Sequence, residues 1–197
     1  WLSAGDEREC VAPPPPRRPL RWILGMEHFY IQDARESQAS LVTSATEEEG
    51  GRARLDPGYE YLYDAVAGRK ALVFSNSREE TEYVTATLRQ IAKARREDDI
   101  FLIHHGNLSA SLREDAEEKM KDETVTRAVT CATVTMELGI DIGKLERVAQ
   151  MGSPTTVSGF LQRLGRSGRR GSPPEMVMVY REEMPLPNAP LPEIIPW

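Results

Sequence analysis

The segment Ser153–Arg170 reads SPTTVSGFLQRLGRSGRR, and the rest of the chain is interpreted outward from it. Ser153 is a suitable helix N-cap, and Pro154 suits the first helical position. Apolar side chains then recur at the spacing of one helix face: Val157, Phe160, Leu161 and Leu164. The segment therefore predicts an amphipathic helix that packs this apolar face on a core.

The same segment carries a row of long polar side chains. Gln162, Arg166 and Arg169 follow at i, i+4 and i+7, so a helix that continued to Arg169 would place all three opposite the apolar face. A guanidinium offers several fixed donors to phosphate oxygens. Gly165 and Gly168 remove side chains beside the row and let another surface approach. The pattern is too specific for an ordinary solvated helix face, and it indicates a phosphate site.

Before this segment the chain alternates between short apolar runs and helical patterns. Ser77 and Ser111 each begin the pattern Ser-x-x-Glu and are interpreted as helix caps. The alternation predicts right-handed βαβ units in a three-layer α/β/α domain with a mainly parallel sheet. The expected strands are Ala71–Phe74, Ile100–Ile103, Ala128–Cys131, Val148–Met151 and Met176–Tyr180, with Trp22–Ile31 as an additional edge strand.

Composition limits the classes of function. A net charge of −6 argues against a general polyanion binder, although a local basic row can bind phosphate on an acidic protein. No run approaches the roughly 18 apolar residues of a membrane span, and no signal segment opens the chain. Cys10 and Cys131 are too far apart in sequence for a local metal knuckle. We therefore expect no metal site in this chain, no membrane partner and a reducing cytoplasmic setting.

The proline-rich ends suggest the domain boundaries. Residues 1–19 are expected to be a linker from a preceding lobe, because Pro13–Pro16 favours a stiff, extended segment. Residues 20–181 form the expected domain, and residues 182–197 a proline-rich tail towards a following one.

Residues 162–169, QRLGRSGR, resemble motif VI of superfamily 2 helicases, and other segments fall into register with that motif. ALVFSNSR at 71–78 resembles motif IV, HHGNLSASLR at 104–113 resembles the strand, loop and helix start after it, and ATVTMELGIDIG at 132–143 resembles motif V. The chain is similar to the C-terminal lobe of the large helicase-related DEAD/DEAH-box DNA helicases. The resemblance implies a RecA-like lobe of the P-loop NTPase type.

The resemblance also implies half of an ATP site. Arg166 and Arg169 would be arginine fingers that neutralise charge on the transferring phosphoryl group, a role worth about 10³–10⁵ in rate elsewhere. Gln162 would contact the phosphates or position the water. Gly139 would give close backbone access, and Asp141 would accept from the ribose hydroxyls. Arg163, adjacent to Gln162, is expected to support the site rather than to touch phosphate.

The nucleic-acid side would use the carboxyl ends of the strands, where ligands meet a parallel sheet. Hydroxyl, amide and guanidinium groups there would hold the backbone without reading bases. The candidate contacts are Ser75, Asn76, Arg78, Gly106, Ser109, Arg113, Thr133 and Thr135. His104 and His105 follow the expected strand Ile100–Ile103. We expect one of the two to be packed in the strand and the other to make a surface hydrogen bond.

The chain contains no G-x-x-x-x-G-K-[ST] loop and no Asp-Glu pair in a strand-end context to hold Mg²⁺. ATP with Mg²⁺ would therefore be held by a first RecA-like lobe, and this fragment alone is expected to be inactive. The partner would be DNA, as a single strand or duplex junction, in a bacterial or archaeal cytosol. An RNA-directed helicase and a non-catalytic nucleic-acid scaffold stay open as alternatives.

Overall fold

A computed structural model describes residues 21–31, 56–133, 145–168 and 172–183 of the 197-residue chain. The elements within these ranges alternate between strands and helices. They are β1 (Ile23–Ile31), α1 (Pro57–Val66), β2 (Lys70–Phe74), α2 (Arg78–Arg95), β3 (Phe101–His104), α3 (Ala110–Lys121), β4 (Ala128–Ala132), β5 (Arg147–Met151), α4 (Val157–Leu164) and β6 (Glu175–Glu183).

The six strands form one sheet in the order β1-β6-β5-β2-β4-β3. Each neighbouring pair is parallel, so the carboxyl ends of all six strands meet at one edge. β2 lies between β5 and β4, which places the loops after these three strands side by side. The expected three-layer α/β fold with a parallel sheet is confirmed, and β1 is the edge strand that the sequence indicated.

Alternate side chains of the central strands bury two separate cores. In β2, Ala71 and Val73 pack with α1 and α2, whereas Leu72 and Phe74 pack on the opposite face. Met120 of α3 and Leu164 of α4 belong to this second core. Because both faces of β2 are covered, all five of its residues are buried and its sequence is continuously apolar after Lys70.

Of the two serines expected to cap helices, one is confirmed as an N-cap and the other is not. The Ser77 side chain accepts a hydrogen bond from the Glu80 N–H at 3.0 Å, which confirms this residue as the N-cap of α2. The N-cap of α3 is Ser109, so the assignment of Ser111 as a cap was wrong. Ser111 instead lies inside the first turn, where its Oγ is 3.2 Å from the Ser109 Oγ.

The boundaries of the expected strands hold to within three residues. Helix α1 was not predicted, although Asp56-Pro57 is a recognisable helix start. The Asp56 carboxylate accepts from the Gly58 N–H, and proline begins the helix.

Strand β6 continues to Glu183, two residues beyond the expected domain boundary at 181. Residues 1–19 and all but the first two of the expected tail lie outside the described residues. None of the described helices is long and apolar enough to cross a membrane.

Candidate functional site

Helix α4 is shorter than the sequence pattern suggested. It is capped by Thr156, whose side chain accepts from the Gly159 N–H at 3.0 Å, so the expected cap at Ser153 was wrong. The helix ends at Leu164, with Gly165 as the C-cap. A tighter turn follows, in which the Arg166 N–H donates to the Arg163 carbonyl at 3.0 Å. Arg166 therefore does not continue the helix, so the condition under which Gln162 and Arg166 would share one helical row is not met.

The buried face of α4 also differs from the expected one. Leu164 is buried and Phe160 partly buried, but Val157 is 76% exposed and Leu161 47% exposed. The face turned to the sheet contains Gly159 and Arg163 instead. Apolar spacing alone could not distinguish the two faces.

Gln162 and Arg166 lie on either side of the buried Arg163 and are themselves partly exposed. Their amide and guanidinium groups can donate hydrogen bonds to oxygens of an incoming ligand. Arg166 also has interactions within the chain. These two residues are the described part of the expected nucleotide site.

Arg163 is 1% exposed, and its guanidinium lies over the Phe74 ring, 5.0 Å from the ring centroid. It donates hydrogen bonds to the Gln150 Oε1 and, at 3.4 Å, to the Asn76 Oδ1. A group buried in this way is not placed to touch a phosphate. The geometry agrees with the supporting role expected for Arg163.

The loop after β2 contains three of the candidate nucleic-acid contacts in different settings. Ser75 is completely buried, and its Oγ has no hydrogen-bond partner within the part of the chain that the structure describes, so its hydroxyl does not reach the surface. Asn76 is exposed, but its side chain donates to the Ser153 carbonyl at 2.8 Å. Arg78 is exposed and forms ion pairs with Glu79 and Glu82. Arg78 is thus the side chain of this loop most open to a ligand.

The loop after β3 contributes Gly106 and Ser109, both exposed, and the partly buried Arg113. A Cβ at Gly106 would meet nothing within 4 Å, so a ligand backbone can approach there. The Arg113 Nε is buried and has no hydrogen-bond partner among the described residues. A buried N–H donor without a partner costs free energy, so this Nε is a donor that a rearrangement of the loop could offer to an oxygen.

The paired histidines differ from expectation, because both are buried. The His104 Nε2 lies 3.1 Å from the Glu117 Oε1 of α3, and the His105 Nε2 lies 3.2 Å from the Glu82 Oε1 of α2. The expected surface hydrogen bond for one of them was wrong. His104 contacts α3 on one side of the sheet, and His105 contacts α2 on the other side. The end of β3 is therefore linked to both helix layers.

Thr133, directly after β4, is partly buried, and its N–H donates to the His104 carbonyl at 3.4 Å. The remaining candidates lie outside the described residues: Thr135, Gly139, Asp141 and Arg169. The parallel sheet thus brings together Asn76, Arg163 and Gln162, while the loop after β3 lies two strands away on the same edge.

One contributor was missed altogether. Gln150, in the buried strand β5, bonds to Arg163, and its Nε2 donates to the Met151 carbonyl at 2.6 Å. The only signal in the sequence is a polar amide inside an otherwise apolar strand. Such a residue indicates a buried hydrogen bond but not its partner.

Comparison with known proteins agrees with this geometry. The family model for the helicase conserved C-terminal domain matches residues 57–171. An ATP-dependent helicase Lhr-Core from Methanothermobacter thermautotrophicus is 36% identical over 187 residues, which cover 92% of this chain and 20% of the relative. The Lhr helicase/uracil glycosylase of Escherichia coli is 29% identical over 202 residues, covering 86% of this chain and 13% of the relative. The chain thus spans about a fifth or less of the length of these relatives.

Solved structures show the same fold. The structure of Mycobacterium smegmatis helicase Lhr bound to ssDNA and AMP-PNP matches with a TM-score of 0.62 at 24% identity, covering 85% of this chain and 20% of that one. The DUF1998 helicase MrfA bound to DNA and AMPPNP matches with a TM-score of 0.57 at 19% identity, covering 83% and 20%. This chain belongs to the helicase conserved C-terminal domain family, has the RecA-like fold of the solved helicase structures that it matches, and is similar to the Lhr-Core helicases.

Proposed function

We propose that the chain is the second motor lobe of an ATP-dependent DNA helicase. In this proposal the lobe supplies Arg166, Arg169 and Gln162 to ATP that a first RecA-like lobe holds. It also grips the nucleic-acid backbone with the loops after its strands. The observation that carries the proposal is the arrangement of QRLGR around α4, in which Gln162 and Arg166 are partly exposed while Arg163 between them is buried.

The donor set suits a triphosphate. An amide and guanidinium groups carry several N–H donors, and a fixed positive charge stabilises the charge that develops on a transferring phosphoryl group. Mg²⁺ and the phosphate loop would be held by the first lobe. The remaining half of the proposed site, Gly139, Asp141 and Arg169, completes the contacts from this lobe.

The nucleic-acid contacts are proposed for the edge formed by the loops after β2, β3 and β4. Arg78, Ser109 and Arg113 would hold phosphate oxygens, and Gly106 would let the strand approach the backbone. Asn76, Thr133 and Thr135 complete this surface, and Ser75 supports it from below. The relative from Methanothermobacter thermautotrophicus is named an ATP-dependent helicase, which supports nucleic acid as the partner. The choice of DNA follows the Lhr structure, which is bound to ssDNA, whereas other neighbours of the same fold are bound to RNA.

The decisive experiment is Arg166→Ala in the full-length protein. ATP turnover in the presence of single-stranded DNA should fall by about 10³–10⁵, while binding of the DNA is retained. The matched control is Arg127→Ala, because Arg127 precedes β4 at the opposite edge of the sheet and pairs with Asp98 in an exposed bridge. Turnover that survives in Arg166→Ala would favour a non-catalytic nucleic-acid scaffold.

An RNA-directed helicase is the remaining alternative. Phosphate contacts alone do not distinguish DNA from RNA, because the discrimination depends on the 2′-hydroxyl. Stimulation of ATP turnover by single-stranded DNA and RNA of the same sequence should be compared in the full-length protein. Stronger stimulation by RNA would overturn the DNA assignment and leave the motor assignment intact.

A further inference from the structure

Arg163 joins the two halves of the proposed site through a continuous set of hydrogen bonds. Its Nη1 donates to the Gln150 Oε1 and to the Asn76 Oδ1, the latter at 3.4 Å. The Gln150 Nε2 lies 3.5 Å from the same Asn76 oxygen. A single side-chain oxygen in the loop after β2 is therefore shared by α4 and β5.

The far side of Asn76 is also held. Its Nδ2 donates to the Ser153 carbonyl at 2.8 Å, and its backbone N–H donates to the Glu80 Oε2 at 2.9 Å. The loop after β2, the loop after β5 and the first turn of α2 thus meet at this one amide. Through these contacts Arg163 connects α4 directly to Asn76.

Burial makes this connection stiff. Arg163 is 1% exposed and Gln150 is 0% exposed, and the Phe74 ring lies beneath the guanidinium. Breaking a buried charged hydrogen bond leaves its partner unsatisfied, and that cost is larger than the net gain from making the bond. The connection therefore resists opening.

Gln162 and Arg166 flank Arg163 on the same short segment, and they are the residues proposed to contact the nucleotide. We propose that Arg163 is a positioning residue that couples nucleotide binding to nucleic-acid grip. When the nucleotide draws on Gln162 and Arg166, Arg163 moves with them and resets Asn76 and the loop that leads to Arg78. This inference rests on the proposed function and adds the route by which its two sites communicate.

Coupling between two ligands is measured as the factor by which one changes the affinity for the other, and such factors are typically about 5–150. The experiment uses the full-length protein and a fluorescein-labelled single-stranded DNA. Its dissociation constant is measured by anisotropy with and without AMP-PNP. The ratio of the two constants is the coupling factor.

Arg163→Lys should reduce the coupling factor to about 1, because the lysine side chain keeps the charge but is shorter than the path to Nη1 and lacks the planar group that lies over the Phe74 ring. Asn76→Ala should have the same effect from the other end of the contact. The double variant should be no worse than either single variant, because both remove one shared interaction.

Arg89→Lys is the matched control. Arg89 also anchors a helix to a strand, since its Nε and Nη2 donate to the Phe101 carbonyl at 3.2 and 2.6 Å. That contact lies at the start of β3, at the opposite edge of the sheet from Asn76. Its substitution should leave the coupling factor unchanged.

An unchanged coupling factor in Arg163→Lys overturns the inference, as does a coupling factor near 1 in the unsubstituted protein or an equal loss in Arg89→Lys. If Arg163→Lys does not fold, Asn76→Ala decides, because Asn76 is exposed and its truncation opens no cavity. Failure of the proposed function is distinguished by Arg166→Ala. Turnover that survives there rejects the motor assignment, whereas its loss together with unchanged coupling in Arg163→Lys rejects only this inference.

Discussion

Arg181 lies in β6 and forms a bidentate ion pair with Asp56, the residue that caps α1. The Arg181 Nε lies 3.1 and 3.0 Å from the two Asp56 oxygens, and its Nη2 contacts Oδ2 as well. The guanidinium also stacks on the Tyr59 ring at 4.2 Å from the centroid. Residues 125 positions apart in sequence thus fasten α1 to β6 beside the edge strand.

Asp56→Ala should destabilise the chain by about 3–5 kcal/mol, since it leaves a mostly buried guanidinium without its partner. The comparison is Arg127→Ala, which breaks the exposed pair with Asp98 and should cost about 0–1 kcal/mol. Urea unfolding followed by circular dichroism measures both. Equal losses in the two variants would contradict the importance assigned to the Asp56–Arg181 pair.

The orientation of α4 gives a test that separates the observed helix face from the one the sequence suggested. Leu164→Ala should cost about 2–5 kcal/mol, because it opens a cavity in the core shared with β2 and α3. Leu161→Ala, three residues earlier on the exposed side, should change stability by less than about 0.5 kcal/mol. Denaturant midpoints of the two variants decide the question. The reverse order would mean that Leu161 is the buried residue.

Gly168 is held in a conformation that other residues rarely adopt, with φ of +74°. A Cβ there would overlap the backbone nitrogen of Pro174. Gly168→Ala should therefore destabilise the chain by about 1–3 kcal/mol or more through strain alone. Gly106→Ala is the control, because a Cβ there meets nothing within 4 Å. Thermal unfolding of the two variants should differ by several degrees, and equal melting temperatures would exclude strain at Gly168.

Burial raises the pKa of the Cys131 thiol to about 12. Because only the thiolate reacts with iodoacetamide, the folded chain should be resistant to alkylation at Cys131 at about pH 8 and should react on adding urea. Mass spectrometry of a Cys10→Ser variant measures this directly. Rapid alkylation without urea would show that the thiol is accessible.

The pKa shift at Cys131 also sets a direction for stability. The folded-state pKa is above the unfolded value of 9.0, so the stability contributed by the neutral thiol is complete below about pH 9. It is lost as the pH rises from there towards about 12. Cys131→Ala should therefore unfold with a weaker dependence on alkaline pH than the unsubstituted chain, and an identical dependence would refute this contribution.

The isolated 197-residue chain should release no phosphate from ATP, with or without single-stranded DNA, because the proposed phosphate loop and Mg²⁺ ligands belong to a first lobe. A phosphate-release assay with full-length protein as the positive control measures this. Turnover by the chain alone would show that a complete site lies within it.

The sequence by itself determined the strands and their order of appearance. Runs such as Ala71–Phe74 are continuously apolar because helices cover both faces of a parallel sheet, and that requirement is visible without coordinates. Local capping at Ser77 was also readable, because the serine hydroxyl and the N–H that it accepts from lie three residues apart. The QRLGRSGR segment identified the family because its spacing is specific.

The tertiary structure decided which side of α4 is buried and which residues far apart in sequence contact each other. The spacing of Val157, Leu161 and Leu164 predicts one apolar helix face. In the structure Leu164 is buried, whereas Val157 and Leu161 are exposed, and the buried side of the helix contains Gly159. Arg163 could be expected to support the site, yet its partners are Gln150 in β5 and Asn76 in the loop after β2, and a hydrogen bond across 87 residues leaves no local pattern. Long-range contacts of this kind depend on chain crossing and packing, which local sequence does not encode.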